Sequence, residues 1–192
     1  MTGKTIINIG AQRFDKIREQ GAFYIDKTRF IKEWWENGSD VTLITRPRRF
    51  GKTLNMSMTE CFFSNKYAGR ADLFEGLEVW NDEKYRQIQG KYPVICLSFA
   101  GIKANSAEGL RKSFKRIITD VYKMDKDIMR SNVFDDDDRA YFKSVNDTMD
   151  DETAVIAIKR LGGYMERQYG KKTIVLLDEY DTPMQEAWSR GY

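Results

Sequence analysis

The 192-residue chain is 41% hydrophobic and 13% aromatic, enough for one substantial domain with its own core and too apolar for disorder. Its 32 basic and 29 acidic residues leave a net charge of +3, too weak a bias to argue for nucleic acid. Histidine is absent, which excludes His-based triads, His general bases and His–metal sites within these residues, and the two cysteines, Cys61 and Cys96, lack metal spacing and read as reduced core thiols.

Residues 1–10 read as a short strand or an extended arm. In residues 13–20, Phe14 and Ile17 are spaced for one face of a short helix. Asp26 is placed to cap a helix from about Lys27 that buries Phe30, Ile31, Trp34 and Trp35 and ends at Asn37-Gly38. "VTLIT" (41–45) is a compact β-branched run and predicts a buried strand. After "RPRRF" a helix should start at Gly51, with Leu54, Met58, Cys61 and Phe62 at helical spacing. Residues 71–80 suggest short helix and turn, and "YPVICLSFA" (92–100) a second buried strand. A helix over 106–124 turns Leu110, Phe114, Ile117, Ile118 and Val121 inward. Asp135 to Asp138 should cap a helix near Arg139. Another helix follows over 151–170, which Gly162-Gly163 is able to interrupt. "TIVLLDEYD" (173–181) is a third strand, its residues 174–177 expected to be buried on both faces. Strands separated by helices predict an α/β domain with a largely parallel sheet. No apolar run is long enough to span a bilayer and no secretory leader is recognisable, so a soluble cytoplasmic protein is expected.

The segment "TRPRRFGKTLN" (45–55) ends as a phosphate-binding loop should, in Gly51-Lys52-Thr53 at a strand-to-helix junction. The chemistry calls for backbone N–H groups at a helix start, a lysine that reaches the β- and γ-phosphates, and a hydroxyl for Mg²⁺. A glycine at 51 lets the backbone approach phosphate closely. Arg46 stands where the usual pattern opens with glycine, and Pro47 shapes the turn in its place. Arg48, Arg49, Phe50, Gly51, Lys52, Thr53 and Leu54 form the expected nucleotide-contacting run, with Arg48 and Arg49 either on phosphate oxygens or in ion pairs that hold the loop. Gly-Lys-Thr alone is a weak signal, since an ordinary strand–helix turn with a solvent lysine has the same letters. The acidic strand end downstream sharpens it. Asp178 is the candidate Mg²⁺ partner, and Glu179 the candidate base that polarises an attacking water. An Asp-Glu pair of this kind implies a further strand between the loop strand and the acidic strand, supplied later in sequence. Residues 1–192 are therefore expected to be the N-terminal part of a P-loop nucleotide-binding domain.

With these blocks in hand the chain resembles the bacterial AAA-ATPase-like proteins, which carry "FYIDKT", "RPRRFGKT" and "LLDEYDTP" segments in this order; here they are Phe23–Thr28, Arg46–Thr53 and Leu176–Pro183. The arginine-proline opening is usual in that family. The resemblance implies a P-loop ATPase fold related to AAA and STAND-type ATPases, with ATP and Mg²⁺ as cofactors. It assigns Lys52 and Thr53 to phosphate and Mg²⁺, Asp178 to the metal and Glu179 to the catalytic base. In many members a PD-(D/E)XK nuclease-like domain follows, so nucleic acid reached through a downstream domain and self-association are the partner expectations, with no membrane.

The "FYIDKT" block has no chemistry that its residues alone dictate. Phe23, Tyr24 and Ile25 packing under the sheet is the first expectation; Phe14 or Tyr24 stacking on adenine, with Ile9-Gly10 offering backbone contacts, is the second. Trp34 and Trp35 read as core or interface. Asp135 to Asp138 have the wrong spacing for a calcium loop and read as a helix start. The basic residues Lys112, Lys115, Arg116 and Lys123 read as a solvated helix side. Three functions remain open at this point: Mg²⁺-dependent ATP hydrolysis driving a conformational switch, an ATP-binding regulatory or scaffold module with little turnover, and a small-molecule kinase, for which no lid or acceptor aspartate is found.

Overall fold

The computed structural model describes residues 10–45, Pro47 and residues 50–191, with the backbone alone for Asp127. The chain divides into two units, Met1–Tyr92 and Pro93–Tyr192.

The first unit is built around one helix. Its elements are α1 (Phe14–Glu19), α2 (Arg29–Asn37), α3 (Lys52–Phe63) and α4 (Glu83–Ile88), joined by 3₁₀ turns at Asn65–Tyr67, Ala71–Leu73 and Glu78–Asn81. Met58, Cys61, Phe62 and Phe63 of α3 are wholly buried. Aromatic rings fill the space around them. Phe62 meets Phe74 edge-on at 5.1 Å, Phe14 stacks on Phe74 at 5.2 Å, and Trp35 stacks on Phe63 at 5.3 Å. Trp34 also meets Phe63 edge-on at 5.3 Å, so both tryptophans are spent on packing, as expected. Burial pushes the Cys61 thiol up to about 12, which leaves it unreactive.

Two secondary-structure expectations for this unit fail. Helix α2 begins at Arg29, later than Lys27, because Asp26 folds into a turn: its carboxylate accepts from the Thr28 N–H (2.8 Å) and the Thr28 hydroxyl (2.7 Å). Residues 41–45 are not a buried strand. Val41 is 85% and Leu43 63% exposed, and no backbone hydrogen bond among the described residues joins this run to another segment. Strand propensity is a preference for a pleated, half-buried surface with a partner alongside, and here the run has none.

The second unit holds the sheet. β1 (Val94–Ser98) and β2 (Ile174–Asp178) pair in parallel, from Val94 opposite Ile174 to Ser98 opposite Asp178. Between them run α5 (Ala107–Met124), a 3₁₀ turn at Lys126–Arg130, α6 (Asp136–Ser144) and α7 (Asp151–Tyr169); α8 (Thr182–Arg190) follows β2. A crossover of this length is what two parallel neighbours require. Ile95 and Leu97 of β1 pack with Val121, Phe142, Leu161 and Met165 in one core, and the Tyr122 hydroxyl donates to the Ala157 carbonyl at 2.7 Å.

The parallel pairing is as predicted, but β2 is not buried on both faces: Val175 and Leu177 remain 44% and 48% exposed. Among the described residues β2 has one hydrogen-bonded neighbour, β1. Helix α7 runs unbroken through Gly162-Gly163. Burial of Ala157, Leu161, Tyr164 and Met165 along one side outweighs a glycine penalty of about 1 kcal/mol each. The Thr173 hydroxyl donates to the Gly162 carbonyl at 2.9 Å. The aspartate run starts α6 as expected, with Asp135 accepting from the Asp138 N–H at 2.7 Å and Asp138 pairing with Arg167 at 2.5 Å. No helix among the described residues is long and apolar enough to cross a membrane.

Candidate nucleotide site

In the first unit the candidate residues meet at the start of α3. Gly51 is the N-cap, with φ 76° and ψ 22°, a left-handed conformation that glycine adopts without a Cβ clash. Its carbonyl accepts from the Asn55 N–H at 2.9 Å and so opens the helix ladder. Lys52 and Thr53 are the first two helical residues, partly exposed like Leu54, while Phe50 is 59% exposed. Gly51 has no side chain to cap the helix, and no acidic residue lies in its first turn. Neither the N-cap side chain nor an acid of the first turn answers the positive end of the helix dipole, a setting that favours an anion. Gly51→Ala should cost about 1–2 kcal/mol of stability, measurable as a lower urea midpoint, because the backbone would have to hold a positive φ with a Cβ in place.

The "FYIDKT" block folds against this start. The Tyr24 hydroxyl donates to the Met58 Sδ of α3 at 3.1 Å. Asp26 accepts from the Glu78 N–H at 2.7 Å, and the Thr28 hydroxyl oxygen accepts from the Val79 N–H at 3.1 Å. Lys27, between these anchors, brings its ammonium to the loop: a Cβ added at Gly51 would lie 3.5 Å from the Lys27 Nζ. Sequence reasoning assigned Lys27 no role in the site. The block was visible, but the direction of its lysine was not.

Burial pushes the Asp26 carboxyl upward, yet the hydrogen bonds from Glu78 and Thr28 win and hold it below the usual carboxylate range. A carboxylate with a lowered folded pKa adds stability above its unfolded value of about 3.9 and loses it as pH falls through the folded pKa. Asp26→Asn should therefore cost about 1 kcal/mol at neutral pH and flatten the fall in melting temperature below about pH 4. Thermal melts across pH 2–7 check both.

The adenine-wall expectation does not hold for Phe14, which is fully buried and meets Tyr24 edge-on at 5.2 Å. Phe23 and Ile25 do not pack under the sheet as expected either; they are 60% and 65% exposed. Their neighbours Tyr24 and Asp26 take the inward contacts instead. Asn55, one turn into α3, was also missed: it is buried, and its Oδ1 has no hydrogen-bond partner among the described residues. Ile9, Arg46, Arg48 and Arg49 lie outside the described residues.

In the second unit the acidic candidates meet at the end of β2. Asp178 is 6% exposed, and its backbone carbonyl accepts from the Phe99 N–H at 3.0 Å, fixing the strand end against β1. Its Oδ1 accepts from the Glu179 N–H at 3.1 Å. Glu179 has φ 52° and is the one described non-glycine residue with positive φ. That conformation costs on the order of 1–2 kcal/mol for a residue with a Cβ. It is held by the turn into α8, where the Glu179 carbonyl accepts from the Thr182 N–H at 3.0 Å and Pro183 is buried.

The family model described as "Predicted AAA-ATPase" matches residues 8–192, nearly the whole chain. The chain belongs to the AAA-ATPase-like family. A protein of Azotobacter chroococcum mcd 1, described as "Uncharacterized protein in vnfD 5'region", is 29% identical to this AAA-ATPase-like chain over 183 residues. The match covers 95% of this chain and 30% of that protein, so the chain spans about a third of the relative's length. No solved structure matches it significantly. Family membership supports nucleotide binding and agrees with the glycine–lysine–threonine start of α3.

Proposed function

We propose that residues 1–192 are the N-terminal part of a P-loop domain that binds ATP with Mg²⁺ and hydrolyses it to drive a conformational switch in a longer protein. The observation that carries the proposal is the left-handed Gly51 directly before Lys52-Thr53 at an uncapped helix start. Lys52 would neutralise the β- and γ-phosphates, while the N–H groups of the first helical turn would orient them. Thr53 in the first unit and Asp178 in the second would each offer a hard oxygen donor, the chemistry that suits Mg²⁺ rather than a softer metal. The ion, when bound, would screen phosphate charge and fix its geometry.

Glu179 would accept a proton from water as the water oxygen forms its bond to the γ-phosphorus and the bond to the ADP oxygen breaks. Backbone strain of this kind collects at functional positions, and its presence at Glu179 supports the assignment. Arg48, Arg49, Phe50 and Leu54 complete the proposed nucleotide-contacting run. The relative is longer than this chain, which supports further domains in the full-length protein; a nuclease-like domain with a nucleic-acid partner is proposed on the family resemblance alone.

The test is isothermal titration of the full-length protein with Mg-ATP, followed by a phosphate-release assay. Binding together with phosphate release is the expected result. Binding without phosphate release would make the domain an ATP-dependent regulatory module, and absence of binding would end the proposal.

A further inference from the structure

We infer that Lys27 is a second phosphate-binding lysine of this site, placed by the "FYIDKT" block; the inference rests on the nucleotide reading above. Three observations converge on it. First, the Lys27 ammonium sits at the loop, 3.5 Å from where a Cβ on Gly51 would stand. Secondly, the block is fastened on both sides of the lysine: Tyr24 to Met58 of α3, Asp26 to the Glu78 N–H, and Thr28 to the Val79 N–H. Those bonds spend the flanking side chains on the 3₁₀ turn at Glu78–Asn81 and on the body of α3, so the block is an anchored arm that carries its cation to the helix start.

Thirdly, the charge arrangement is unfavourable without an anion. A lysine begins α3, a second ammonium stands beside its N-cap, and no acid lies in the first turn. Cations at a helix N-terminus oppose the dipole and so destabilise an empty site. No ion pair of Lys27 occurs among the described residues to offset this. A triphosphate reverses the balance, because its negative charge turns the repulsion between Lys27, Lys52 and the helix dipole into attraction for each of them. Lys27, beside Gly51, would meet a phosphate oxygen there with a charge-assisted hydrogen bond.

The experiment compares wild type, Lys27→Met, Lys27→Arg and Lys52→Ala of the full-length protein, titrated with Mg-ATP and with AMP, and melted without ligand. Lys27→Met should weaken Mg-ATP about 10- to 100-fold and AMP far less. Lys27→Arg should recover most of the loss. Unliganded Lys27→Met should melt no lower than wild type, because a cation opposed to the dipole has gone. If wild type and Lys52→Ala both fail to bind or bind alike, the nucleotide reading itself falls and takes this inference with it. If wild type binds, Lys52→Ala does not, and Lys27→Met matches wild type, only the role of Lys27 falls. A Lys27→Met protein that folds poorly, or loses ATP and AMP equally, would make the lysine structural and also overturn it.

Discussion

Lys52→Ala is expected to weaken Mg-ATP binding by on the order of 100-fold, while Glu179→Gln leaves binding intact and lowers turnover about 100- to 10,000-fold. The two substitutions should separate because, in the proposed site, the residues would meet the nucleotide at different moments. A lysine at the first position of α3 would add its charge to the helix dipole and act on bound phosphates before any bond changes. A glutamate general base matters only when a water gives up its proton, and glutamine keeps its shape without its basicity. Equal stabilisation of wild type and Lys52→Ala by Mg-ATP in thermal melts would remove Lys52 from the site. An unchanged phosphate-release rate in Glu179→Gln would move the base elsewhere.

Phe62→Ala is expected to destabilise the first unit by about 3–5 kcal/mol. Phe62 is fully buried, edge-on to Phe63 at 4.9 Å and to Phe74 at 5.1 Å. Truncation leaves a cavity between rings whose other contacts hold them in place, so little of it can close. The same helix begins at Gly51, so the loss should reach the candidate site as well as the fold. Urea denaturation gives the first effect, and Mg-ATP affinity in the remaining folded protein gives the second. A loss under 1 kcal/mol would mean that the aromatic cluster repacks around the gap.

The chain's apolar periodicity made most helices legible. Helices α3, α5 and α7 and strands β1 and β2 lie where runs of apolar residues and their flanking caps place them. The failures turn on contacts that a linear pattern does not carry. Residues 41–45 have strand chemistry and no strand beside them among the described residues. Gly162 stays helical because the buried side of α7 outweighs local propensity. The start of α2 moved because the Asp26 carboxylate closes a local turn onto Thr28, in which its other oxygen is held by the Glu78 N–H. The motif residues Gly51, Lys52, Thr53, Asp178 and Glu179 were legible as letters, but the left-handed turns at Gly51 and Glu179 were not. Lys27 escaped notice because its meaning lies in its nearness to Gly51, and a one-dimensional pattern carries no bearing for a side chain.

The twist at Glu179 narrows what can replace it. Glycine would relax the main chain but bring no acid. Asparagine tolerates the conformation and is neutral. Aspartate keeps the charge but draws it back by one methylene. Every cheaper backbone at this corner therefore shortens or discharges the arm, so tolerance to mutation here should be governed by reach rather than by folding.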